Sequence, residues 1–181
     1  MSDLDQKDFH LEMMRLALTE ARKSTPSPSA FCVGCVLIAR WPDESSSSFV
    51  LSSGFSRELP GNTHAEANAL TKAKELSRDH LSHLTSSSSL DHTPAAEELF
   101  RMTDVYTTME PCSVRTSGLP PCSEALIGAG VRRCFIGVRE PDDFVNCEGA
   151  RKLQDAGIDV VWLSGMEEAC LRVARATDLS E

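Results

Sequence analysis

The sequence predicts an α/β domain, a three-layer α/β/α sandwich around a five-stranded mixed sheet. Three observations carry that expectation. Residues Phe31 to Ala39 are rich in Val, Ile and Leu without polar alternation, as in a strand covered on both faces. Ala129-Gly130-Val131 and Ala156-Gly157-Ile158 each stand between a helical pattern and a β-branched run, and two successive helix-Gly-strand units imply right-handed crossovers and parallel neighbours. Helical patterns open and close the chain, which supplies the outer layers.

In chain order, Phe9, Met13, Leu16, Ala17 and Ala21 fall at helical spacing within Asp8 to Lys23, and Ser24-Thr25-Pro26-Ser27-Pro28 stops the pattern. The strand from Phe31 is followed by a Pro- and Ser-containing loop, Trp41 to Ser48, and by a second strand, Phe49 to Ser53, closing a hairpin. A second helix is expected from His64 to about Leu76, with Thr63 and Glu66 matching the S/T-x-x-E capping box. Residues 78 to 94 contain four consecutive serines and no periodicity, and read as a flexible insertion. Asp104 to Met109 is a third strand, the stretch after Pro121 a helix stopped by Gly130, Arg133 to Val138 a fourth strand and Asp159 to Leu163 a fifth. Met166, Ala169, Cys170, Val173, Ala174 and Thr177 mark the closing helix.

The 181 residues, 41% hydrophobic, suffice for one full core, so a single domain over residues 1–181 is expected. A net charge of −9 argues against a surface built to neutralise a nucleic-acid backbone, and no nucleic-acid partner is expected. The longest apolar run is far shorter than a bilayer span, and the acidic N-terminus lacks an apolar core, so no membrane association and a cytoplasmic location are expected. Seven cysteines, an odd number, read as reduced thiols, ligands or small core residues.

The chemistry lies in two short stretches, His64-Ala65-Glu66 and the run from Glu110-Pro111-Cys112 to Pro120-Pro121-Cys122. One imidazole and two thiols make a three-ligand set for Zn²⁺, with a fourth position left for water. Glu66, two residues beyond the imidazole, is the candidate proton carrier at that water. Nine residues separate the two thiols, so they cannot share one helical turn. Taken alone, a His-x-Glu at a helix start is more often a cap with a surface imidazole, and Pro-Cys is weaker still. Their occurrence in this order, the first after a strand hairpin and the second after the next strand, points to a hydrolytic site.

The remaining thiols and imidazoles read as structural. Cys32-Val-Gly-Cys35 is formally C-x-x-C, but inside an apolar strand its two sulfurs would point to opposite faces. Cys134, Cys147 and Cys170 read as small core residues, and His10, His80, His83 and His92 as solvated.

Gly54-Phe-Ser-Arg-Glu-Leu-Pro-Gly-Asn-Thr-His-Ala-Glu66, Thr107-Thr-Met-Glu-Pro-Cys-Ser113 and Leu119-Pro-Pro-Cys122 resemble the cytidine-deaminase-like superfamily. Within it they are most similar to the stand-alone fungal form of the riboflavin-pathway pyrimidine deaminase. Glu140-Pro-Asp-Asp-Phe-Val-Asn-Cys-Glu-Gly149 resembles the D-P-N-P-x-V-x-G-x-G segment of bacterial relatives. The resemblance implies zinc held by His64, Cys112 and Cys122, with Glu66 as the proton shuttle. It implies hydrolytic loss of the 2-amino group from a phosphorylated substrate, 2,5-diamino-6-(ribitylamino)pyrimidin-4-one 5′-phosphate, with water consumed and ammonia released. It implies a homodimer or homotetramer, and no reductase domain of the bacterial kind is expected in a chain this short. Asn62, Glu140 and Asp142 fall in the resembling segments as substrate-contact candidates. Arg57 and Arg115 flank the metal motifs and are phosphate candidates by their fork geometry, although both are equally readable as ordinary surface arginines. Two other functions are compatible with the same four residues: a nucleoside, nucleotide or tRNA base deaminase, and a non-catalytic zinc-stabilised interaction module.

Overall fold

The computed structural model describes residues 3–40, 48–85, 93–115, 118–141 and 147–176. The first helix, α1 (Asp3–Ala21), buries Met14, Ala17, Leu18 and Ala21 along one stripe. The strand expected from Phe31 begins later, as β1 (Gly34–Arg40), and its first six residues are buried. Its side chains sort by parity: Cys35, Leu37 and Ala39 enter one core cluster and Val36 and Ile38 the other. A strand sandwiched between two apolar layers needs no polar face, which explains the missing alternation. β2 (Ser48–Phe55) pairs antiparallel with β1 across the expected hairpin; the loop call at 41–47 lies outside the described residues.

After β2 come α2 (Ala65–Lys74), α3 (Arg78–Leu84) and α4 (Ala96–Phe100). Two expectations are corrected here. His64, not Thr63, is the N-cap of α2, and it makes no side-chain cap bond. The Thr63 hydroxyl donates instead to the Leu59 carbonyl, and Glu66 is turned inward to a different partner. Residues 78–84, expected to be irregular, are helical: Ser77 accepts a hydrogen bond from the His80 amide, and Leu81 is buried. One cap and one apolar anchor suffice for two turns packed against a core, although a single anchor leaves no periodic signal. The serine run at 86–92 lies outside the described residues.

β3 (Thr103–Met109) is buried at every position and forms the centre of the sheet, whose order is β2-β1-β3-β4-β5. α5 (Cys122–Ala129) ends at Gly130 in the left-handed conformation and leads to β4 (Arg133–Val138). α6 (Gly149–Asp155) leads to β5 (Asp159–Trp162), and α7 (Glu167–Ala174) closes the fold. β3, β4 and β5 are parallel, whereas β1 is antiparallel to both neighbours, giving the expected mixed sheet. α1 and α7 cover one face, where Tyr106 and Phe135 lie buried. Residues of α2, α4, α5 and α6 cover the other face with Leu70, Leu99, Leu126 and Leu153. The site stretches sit on this second layer.

At the start of β3, Asp104 is fully buried and accepts paired hydrogen bonds from Arg132 and Arg133, with Arg40 at 3.8 Å. His10 is not a solvated surface residue. Its ring stacks on Phe135 at 4.2 Å, and its Nδ1 lies 2.7 Å from the Tyr106 hydroxyl. All seven cysteines are buried free thiols; Cys35, Cys134 and Cys170 pack in the two cores. Among the described residues no helix is long and apolar enough to cross a membrane.

Candidate active site

The site is built where the C-terminal end of β3 meets the starts of α2 and α5. Gly54 of β2 lets α2 approach closely: a Cβ there would lie 2.4 Å from the Ala65 carbonyl oxygen. That contact seats the start of α2, with His64 as its N-cap, against β2. Cys122 is the first residue of α5, and Cys112 lies three residues beyond β3. Both thiols are buried.

The three side chains converge. Cys112 Sγ lies 3.4 Å and Cys122 Sγ 3.5 Å from the same atom, His64 Nδ1. A tetrahedral ion with Zn–S of about 2.3 Å and Zn–N of 2.0–2.1 Å would set each S···N edge near ~3.5 Å. The spacing therefore fits zinc, and the donor set, one imidazole and two sulfurs, suits it. Among the described residues no fourth ligating side chain joins the three, so the tripod is open on one side. The Cys122 amide donates to Cys112 Sγ at 3.3 Å. The Cys112 thiol is pulled down to about 4, first by its hydrogen bond with the Cys122 thiol and then by His64 and the Cys122 amide, against the opposing effect of burial. Cys122 is displaced upward in turn, since the pair holds its last proton in common.

Glu66 stands beside the tripod with 3% of its surface exposed. Burial pushes its carboxyl above the ordinary 4.5, and the neighbouring Cys112 adds to the rise. Thr107 Oγ1 lies 3.0 Å from Glu66 Oε1. Thr107 received no role from the sequence; the only available signal was its place in the strand that runs into Glu110-Pro-Cys, where Thr108 offers a second hydroxyl beside it.

The chain after Cys112 is held by α6. A Cβ on Gly149 would sit 1.6 Å from the Pro111 carbonyl oxygen, so only glycine permits this approach. Glu110 Oε1 accepts from the Ala150 amide, Cys147 Sγ donates to the Pro111 carbonyl, and Lys152 Nζ donates to the Ser113 carbonyl. These buttresses were missed by sequence reasoning, because their partners lie 36 to 40 residues away and carry no local pattern.

A cleft of about 180 Å³ opens over this group, lined in part by His64, Glu66, Cys112, Arg57, Asn62, Arg115 and Glu140. Arg115 Nη2 donates to the Asn62 carbonyl, tying the two site loops together. Arg57 lines the cleft, but its guanidinium donates to the chain's own Thr25 and Phe31 carbonyls and to Cys32 Sγ. Burial pushes the Glu140 carboxyl up to about 7, while the Cys147 thiol draws it the other way. Glu110 Oε2 and Glu140 Oε2 are buried with no hydrogen-bond partner among the described residues. Asp142 lies outside the described residues.

Residues 7–138 match the family model of the cytidine and deoxycytidylate deaminase zinc-binding region. The chain belongs to this deaminase family. It is 37% identical over 165 residues, 91% of its length, to the diaminohydroxyphosphoribosylamino-pyrimidine deaminase of Schizosaccharomyces pombe, of which it covers 35%. The chain spans about a third of the length of the curated relatives it matches. The crystal structure of Aspergillus oryzae Rib2 deaminase, a C-terminal deletion mutant, superposes with a TM-score of 0.72 at 32% identity, covering 92% of this chain and 91% of the other. The same deaminase in complex with DARIPP superposes with a TM-score of 0.69 at 31% identity, covering 92% and 90%. The likeness to the solved Rib2 deaminase accords with the five-stranded mixed sheet.

Proposed function

We propose that this chain is a zinc-dependent hydrolase that removes the 2-amino group of 2,5-diamino-6-(ribitylamino)pyrimidin-4-one 5′-phosphate in riboflavin biosynthesis. The observation that carries the reading is the open His64/Cys112/Cys122 tripod with the buried Glu66 at its side. Likeness to a deaminase solved with DARIPP supports the substrate class. His64, Cys112 and Cys122 would hold zinc, which would supply an activated water at neutral pH.

Glu66 does the proton work. Its carboxylate takes a proton from the attacking water, passes it to the ring nitrogen beside the reacting carbon, and then serves the departing amino group. One water enters, a C–O bond replaces the C–N bond, and one ammonia leaves. A carboxyl raised by burial suits a group that must hold and release a proton in one cycle. Glu110 and Glu140 both line the cleft, and each keeps a buried carboxyl oxygen with no hydrogen-bond partner among the described residues, which supports a polar ligand at this wall. Asn62 and Asp142 remain proposed substrate contacts. Arg115, half-buried at the cleft with its Nη2 on the Asn62 carbonyl, is the phosphate ligand in this reading.

The chain is read as one deaminase domain, with α3 and the serine run as an insertion between α2 and α4. Seven free thiols support a reducing, cytoplasmic setting. The exposed Val114, which lines the cleft, and the exposed Leu119 support a homodimer or homotetramer. Ammonia release from the reduced diaminopyrimidine phosphate tests the function. Turnover of cytidine with none of the pyrimidine phosphate would overturn it.

A further inference from the structure

Arg57 carries one of two positive φ angles among the described non-glycine residues, 64°, in the loop that joins β2 to His64. The left-handed conformation costs an ordinary residue roughly 1–2 kcal/mol, so something fixes it there. The backbone contributes a 2.7 Å bond from the Arg57 amide to the Thr63 carbonyl. The side chain then reaches across to the segment before β1. Nε and Nη2 converge on the Thr25 carbonyl at 3.0 and 2.6 Å, Nη1 donates to the Phe31 carbonyl at 3.1 Å, and Nη2 donates to Cys32 Sγ at 3.3 Å. Guanidinium has five N–H groups, and these four bonds leave a single one on Nη1 for anything else.

The segment so gripped forms a wall of the cleft. Ser29, Ala30 and Phe31 face the same space as His64 and Glu66. The isolated bridge between Ser27 and Ala30 is the only other strand-like pairing within this segment among the described residues, and Cys32 is anchored behind it by the bond from its amide to the Ala174 carbonyl. An arginine whose donors are spent on backbone carbonyls cannot also fork a phosphate. We infer that Arg57 is a positioning residue: it fixes the Ser29–Phe31 wall at its distance from the metal tripod, and leaves phosphate recognition to Arg115.

This rests on the deaminase reading for its kinetic test but not for its structural one. In zinc-loaded protein, Arg57→Lys and Arg57→Gly are compared with wild type, Gly because it keeps the left-handed backbone without the clamp. Amide hydrogen exchange over residues 25–32 is expected to accelerate at least tenfold in both variants, with zinc content and the global unfolding temperature unchanged. On the diaminopyrimidine phosphate, KM is expected to rise at least tenfold in both, with kcat altered much less. Lysine is expected to fail as fully as glycine, because one ammonium cannot span two carbonyls. The proposal is overturned if exchange at 25–32 is unchanged. It is also overturned if lysine restores KM, or if the loss appears with the phosphate ester but not with its dephosphorylated counterpart; each marks a phosphate ligand. Should wild type turn over neither compound, the function fails and the exchange comparison alone decides the clamp.

Discussion

The Thr107 hydroxyl lies 3.0 Å from both Glu66 Oε1 and the Met109 carbonyl oxygen. A hydroxyl has one proton to give and can accept others. When Glu66 is ionised, Thr107 donates to it. When Glu66 is protonated, the carboxyl donates to Thr107, which turns its own proton to Met109. The strand therefore offers a satisfied partner to either state of a buried acid that must cycle between them.

Thr107→Val should lower kcat about tenfold, some ~1.4 kcal/mol, with zinc retained, while Thr107→Ser stays close to wild type. Glu66→Gln should lose about 10²- to 10⁴-fold in turnover and keep its metal. Ammonia release and zinc analysis on the same preparations check both.

Removing a ligand should act on stability as well as activity. Cys112→Ser should no longer gain thermal stability from added zinc, whereas wild type at a thousandfold excess over Kd should gain about 4 kcal/mol. Thermal unfolding with zinc and with chelator measures the difference.

Gly149→Ala should push Pro111 and so displace Cys112, because the new methyl would meet a backbone oxygen rather than a movable side chain. We expect a loss of about 1–3 kcal/mol and a 10- to 100-fold weaker hold on zinc. Urea unfolding and competition with a chromogenic chelator report the two effects separately.

His10 gives a pH signature far from the metal. Burial, aided by Arg133 and Arg40, lowers its imidazole from 6.5 to about 4, and Asp104 opposes the shift. Between these values the unfolded chain takes up a proton that the folded chain refuses. Stability contributed by this site is complete above about 6.5 and is lost as pH falls toward 4. His10→Gln, which keeps a partner for Tyr106, should flatten that part of the pH dependence, as read from urea midpoints.

The residues that converge at the candidate site were legible because each sits in a local pattern: His64 and Glu66 at a helix start, and Cys112 and Cys122 beside prolines. The sheet was legible because β1 and the Gly130 and Gly157 units follow rules of burial and handedness. α3 and α4 were not, since α3 buries only Leu81 and α4, with Ala96, Leu99 and Phe100 buried, is five residues long, too short for a pattern to repeat. The roles of Thr107, Gly149 and Lys152 were not legible for a different reason: they arise from partners distant in sequence. Arg57 shows the same limit in reverse, because residue type and motif proximity suggested an anion while the backbone conformation turned its fork toward Thr25 and Phe31.

The two sulfurs are fastened separately, one by Cys147 on Pro111 and by Lys152 of α6 on Ser113, the other to α5 by being its first residue. Among the described residues, what lies between supplies none of the three converging atoms. Mutations can lengthen, shorten or recolour that span, which overlooks the cleft through Val114 and Arg115, while the reactive centre stays intact. Diversification of which molecule is admitted can then proceed without risk to the chemistry performed on it.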